Sequence, residues 1–173
     1  MDMHPMWIQG IGLCGTALYL LSFQMRENRK LFFVQLLSYA FYIAHLCLLH
    51  AASGAASYAV NFLRSLFLCG KGDFGKGKRA CVFLCALQLM TLPLTWNGWI
   101  SFLPVMANIA STVAGYSGNA HTIRRANLCI NSPLWIVYSF LVGSWAGILD
   151  EGLSMVSMGI SLLRLGKDGK DTK

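Results

Sequence analysis

Asn61 sits near the middle of an apolar run, and Ser57, Asn61, Arg64 and Ser65 recur at i, i+4, i+7 and i+8, which on a helix makes one polar stripe. Ser154, Ser157, Ser161 and Arg164 form a matching stripe near the C-terminus, and Asn108 lies midway along a further apolar run. Polar groups held among apolar ones are costly, so each marks either a solute pathway or an interhelical hydrogen bond. The chemistry on offer is recognition rather than bond making. Amides and hydroxyls bind a small polar solute, and the rings of Tyr42 and Trp135 supply faces for stacking or simple packing. The substrate-binding candidates are therefore Asn61, Asn108, Trp135, Ser157, Tyr42 and Ser161.

Charged residues near the ends of apolar runs form a second group. Arg64 and Arg164 lie one to two helical turns from a basic connection, where such side chains either reach the headgroups or act as an inner gate or anion contact. Asp150 and Glu151 fall between two apolar runs; they keep a loop polar, or Glu151 caps the next helix or serves a gate. His45 has no acid adjacent in sequence and reads as a satisfied core histidine rather than a proton carrier. No nucleophile–base set, phosphate-binding loop or metal spacing is visible, so the chain is not expected to be an enzyme or to hold a metal or cofactor. Cys81 and Cys85 share a helix face without a third ligand, and the six cysteines show no paired framework. The run from Gly70 to Arg79 is rich in Gly and Lys but lacks the order of a nucleotide loop, and anionic lipid accounts for its charge.

The elements that must position these groups follow from composition and charge. With 55% hydrophobic and 12% charged residues and a mean hydropathy of +0.54, the 173-residue chain has too little polar surface for a soluble globule. The net charge of +7 does not point to nucleic acid, because the basic residues punctuate apolar runs instead of gathering on one face. Seven apolar segments are expected at about 7–24, 31–49, 51–69, 80–95, 99–116, 126–143 and 152–165. They are too long for barrel strands, which leaves an all-α membrane protein. All fourteen Lys and Arg follow the odd-numbered segments, which predicts seven spans with the N-terminus outside and the C-terminus cytoplasmic. The lipid bilayer is thus the first partner. The N-terminus has no basic n-region and no convincing cleavage site, so the first run reads as a retained span. Pro93, Pro104 and Pro133 mark static bends or hinges within spans.

The sequence also repeats itself. Tyr42-Ile43 through Leu49 and Gly54 recurs as Trp135-Ile136 through Val142 and Gly147 at an offset of 93, while Ser57, Asn61 and Arg64 recur as Ser157, Ser161 and Arg164 at an offset of 100. The extra seven residues fall in the expected connection holding Asp150 and Glu151. A first triple-helix repeat at 7–69, a linker helix at 80–95, a second repeat at 99–165 and a cytoplasmic tail at 166–173 make one membrane domain. An even number of crossings separates the halves, so both repeats enter the membrane in the same direction.

This three-one-three order resembles the SWEET and PQ-loop superfamily of small-solute carriers. A closer resemblance, to the bacterial YgjV-type inner membrane proteins, covers nearly the whole chain. It rests on Trp7-Ile8-x-Gly10-x-Gly12, the stretch around His45, Gly54-Ala-x-Ser57 with Asn61-x-x-Arg64, Leu103-Pro104-Val105, Ser111-Thr112, Trp135, Glu151-Gly152 and Arg164. The Pro-Gln pair of PQ-loop proteins stands here as Phe23-Gln24, and Ser161 occupies the place of a second Asn. The resemblance implies a bacterial inner membrane location, a SWEET-like bundle and a pocket containing Asn61 and Trp135.

The function expected is a secondary carrier or facilitator of a small polar solute, working by alternating access at the repeat interface. The alternative is a receptor or interaction protein on the same fold. A homo-oligomer is compatible with either reading and required by neither, because one chain holds both halves.

Overall fold

The computed structural model describes residues 6–22, 28–69, 77–117 and 119–168. Helices account for nearly all of them: α1 (Met6–Ser22), α2 (Asn28–Leu48), α3 (Ala52–Cys69), α4 (Lys78–Leu94), α5 (Phe102–Gly115), α6 (Ala120–Ala126), α7 (Ser132–Leu141) and α8 (Trp145–Asp168). A π-helical segment, Asn127–Asn131, joins α6 to α7, so these form one rod and the described residues make seven rods. By length and composition alone, one stretch among the described residues, Gly98–Gly115, is long and apolar enough to cross a membrane, and Met6–Ser22 and Phe33–Leu48 are shorter apolar helices.

Burial runs opposite to that of a soluble globule. Val82, Met90, Phe140 and Val156 are all more than 60% exposed on outward faces, whereas Ser38, His45, Ser57, Gln88, Asn108 and Ser132 are buried. Exposed apolar surface on this scale demands an apolar surround, and buried polar atoms demand partners. The rods are arranged to supply those partners. In the first half α2 packs along both α1 and α3, and in the second the α6–α7 rod packs along both α5 and α8. The halves meet along two seams, α1 with α8 and α3 with α5, and α4 lies against α3 and α5. Close approach at the seams depends on missing side chains. A Cβ on Gly12 would stand 2.6 Å from the Ala146 Cβ, and one on Gly54 would stand 2.6 Å from the Tyr138 ring.

The π segment has a local cause. Pro133 has no N–H to return to the carbonyl four residues back, and its ring crowds that carbonyl, so the chain widens by one residue just before it. The widening aims Asn127, Asn131 and Ser132 inward.

Two expectations are corrected in the second half. The last helix begins at Trp145, not Gly152, so Asp150 and Glu151 are buried inside it at 4% and 8% exposure instead of lying in a polar connection. Glu151 is consequently beyond the first turn and caps nothing. The seven-residue difference between the repeats is taken up as nearly two helical turns, which leaves the polar stripe on the same face.

Candidate functional site

A cavity of about 880 Å³ lies where α2, α3, α5, the α6–α7 rod and α8 converge. Its lining is polar at both ends. Tyr42, Asn61, Asn108, Trp135, Asp150 and Ser154 form the buried part, while Tyr19, Arg64, Ser111, Arg124 and Asn127, all half-buried, and exposed Ser157 surround its other end. The basic end is the more exposed of the two.

Asn108 organises the α3–α5 wall. Its Oδ1 accepts from Asn61 Nδ2 and Trp135 Nε1, each at 3.2 Å, and its Nδ2 donates to the Ser57 carbonyl at 3.0 Å. One amide thereby ties α3, α5 and α7. Behind it, Gln88 of α4 donates to Ser57 Oγ at 2.6 Å, and toward the basic end Arg64 Nη1 donates to Ser111 and Thr112 at 3.3 and 3.4 Å. These bonds replace those that the groups would make to water.

An aromatic ladder forms the opposite wall. Tyr58 stacks on Tyr42 at 4.9 Å between ring centres, meets Trp135 at 4.7 Å, and contacts Tyr39, which in turn meets Tyr19. Tyr42 also bonds through its hydroxyl to Thr16 of α1 and faces the Asp150 carboxyl.

Four polar atoms in the cavity wall make no hydrogen bond: Asn131 Oδ1, Ser132 Oγ, Asp150 Oδ1 and Ser154 Oγ. Ser132 Oγ faces the Glu151 carboxyl. Unpaired buried polar atoms are rare, and here they gather on the α6–α7 and α8 side.

Two sets of contacts join the halves at residues 93 apart in sequence. His45 bonds to the Ile8 carbonyl and to Ser144 Oγ, each at 2.8 Å; its counterpart 93 residues on, Tyr138, receives the Gly54 N–H at 2.8 Å, lies 3.1 Å from Ser53 Oγ, and donates to the Ala51 carbonyl at 3.4 Å. Ala51 and Ser144 are themselves 93 apart. Each half thus grips the equivalent turn of the other. Gln9 adds a clamp from α1, donating to the Gly143 carbonyl at 2.9 Å and accepting from the Ala146 N–H at 3.3 Å.

A family model described as bacterial inner membrane protein, Imp-YgjV, matches residues 6–169. The chain belongs to this family. No curated protein and no solved structure matches it. Membership makes this YgjV-family chain a bacterial inner membrane protein, in keeping with the apolar exterior.

Of the residues singled out from sequence, Tyr42, Asn61, Asn108, Trp135 and Ser157 all line the one cavity, and Arg64 and Glu151 line it too. Glu151 stands at the cavity wall, apart from the His45 and Tyr138 contacts between the halves. His45 is a satisfied core histidine, as expected, but one that joins the two halves. The side chains of Ser161 and Arg164, the Phe23-Gln24 pair, most of the Gly70–Arg79 run and the end of the tail lie outside the described residues. Tyr58, Gln88, Asn131 and Ser132 were not anticipated. The repeat held a signal for one of them, since Tyr58 stands 93 residues before Glu151 on an equivalent face.

Proposed function

We propose that the YgjV-family chain is a secondary carrier or facilitator for a small polar solute. In this reading it crosses the inner membrane seven times, with the N-terminus outside and the basic connections in the cytoplasm. Two parallel three-helix units, α1–α3 and α5–α8, are joined by α4 in the SWEET-like order. The observation that carries the proposal is the polar cavity between the two units, reaching from Arg64 and Arg124 to Asp150 in the depth of the bundle. A receptor has no need of a polar path to that depth. The crossed His45 and Tyr138 contacts supply the closed outer side, and breaking them while closing the basic end gives the other access state.

Two-sided accessibility tests this. A cysteine placed at Ser154, in an otherwise cysteine-free chain, is expected to react with membrane-impermeant thiol reagents from the cytoplasmic side and, more slowly, from the outside. Reaction from one side only, whatever the solute present, overturns the carrier reading in favour of a receptor.

A further inference from the structure

We propose that the buried end of the cavity is a cation site whose ligand is a small organic amine in its ammonium form; this deepens the carrier reading and rests on it. The argument begins with an imbalance of donors and acceptors. The nitrogen donors of the inner wall are turned onto the protein itself, Asn61 Nδ2 and Trp135 Nε1 onto Asn108 Oδ1, and Asn108 Nδ2 onto the Ser57 carbonyl. What remains without a partner is oxygen: Asp150 Oδ1, Ser132 Oγ and Ser154 Oγ, all on buried residues, and Asn131 Oδ1 beside them. Asp150 Oδ1 and Asn131 Oδ1 call for a ligand that brings donors, the two hydroxyls serve as donor or acceptor, and a protonated primary amine brings three N–H groups.

Charge and shape agree. Asp150 and Glu151 are the acids that line the cavity, and a buried carboxylate requires a paired charge or dense hydrogen bonding. Arg64 does not supply it. Its guanidinium is turned onto Ser111 and Thr112 of α5. The Tyr42–Tyr58–Trp135 cluster lines the same cavity, and aromatic rings attract a cation. Neutral sugars leave the acids' charge unmatched, and carboxylate solutes are repelled by it. The cavity volume of about 880 Å³ admits an amine carrying an alkyl or aryl group.

The test is equilibrium binding to the purified full chain in detergent by calorimetry, with four probes: phenethylammonium, its N,N,N-trimethyl analogue, phenylethanol and sodium alone. Phenethylammonium is expected to bind, the trimethyl analogue to bind at least tenfold more weakly for want of N–H groups, and phenylethanol and sodium not to register. Asp150→Asn, which keeps shape, is expected to weaken phenethylammonium by about tenfold to a hundredfold, the worth of a hydrogen bond to a charged group. Asp150→Glu is expected to recover part of that loss, which a folding defect would not. Equal binding of phenylethanol, binding of sodium without the amine, or an Asp150→Asn variant that binds as the parent does would each overturn the proposal. Those results leave two-sided accessibility at position 154 untouched, whereas amine binding with one-sided accessibility would sink the carrier reading and keep the cation site.

Discussion

Tyr138→Phe removes one hydroxyl, and the consequence is set by what that hydroxyl holds. Gly54 is the third residue of α3, so its N–H has no acceptor within the helix, and Tyr138 Oη receives it at 2.8 Å from the other half of the bundle. Without the hydroxyl, the closed form keeps a buried N–H unpaired, while an opened form lets water reach it. Leaving such a group unpaired costs about 1–3 kcal/mol, and interhelical bonds in membranes average nearer 0.6 kcal/mol. The ratio of closed to open forms is therefore expected to fall by roughly threefold to a hundredfold. Spin labels at Ala52→Cys and Trp145→Cys, exposed positions at the starts of α3 and α8, report the separation of the two turns by pulsed dipolar spectroscopy in a chain otherwise free of cysteine. The parent is expected to show a dominant short distance, and Tyr138→Phe a growing longer one. A lowered unfolding temperature with an unchanged distance distribution would refute the reasoning, because the hydroxyl would then stabilise the fold without holding the closure.

Three further expectations follow from the packing. Asn108→Ala strips the common acceptor from Asn61 and Trp135, so it is expected to destabilise by about 1–3 kcal/mol, read as a lower unfolding temperature in detergent, and by more than Asn61→Ala does. Gly12→Val places a branched Cβ against Ala146 and the His45 ring, and overpacking of that kind costs about 1–3 kcal/mol, visible as earlier thermal unfolding and faster outside labelling at position 154. Pro133→Ala restores the missing N–H and is expected to return the π segment to α-helix, turning Asn131 and Ser132 away from the cavity, so that phenethylammonium binding falls while helix content by circular dichroism holds.

Much of this arrangement was legible in the chain because its signals are local or periodic. Apolar runs broken by basic connections mark the first five rods to within a few residues and miss the starts of the last two by six and seven, while the stripe spacing brought Asn61 and Ser157 to one cavity. Asp150 and Glu151 escaped because two adjacent acids depress local hydropathy just as a loop does. Only the packing of α8 against α1, α7 and the π segment shows that they are inside. The π segment itself leaves little trace beyond Pro133. The contacts between the halves are a different case: the offset of 93 already aligned His45 with Tyr138 and Ala51 with Ser144, but their crossing is a tertiary fact that no spacing encodes.

The central claim is transport, and solute counterflow tests it most directly. Proteoliposomes holding the full chain are loaded with unlabelled solute, and uptake of the same labelled solute is followed for a panel of primary amines, sugars, amino acids and organic acids. The account expects a transient overshoot of labelled amine with the parent chain, and its loss in Asn61→Ala at equal reconstitution. No overshoot for any solute in the panel, from a chain shown to be folded and correctly inserted, would contradict it.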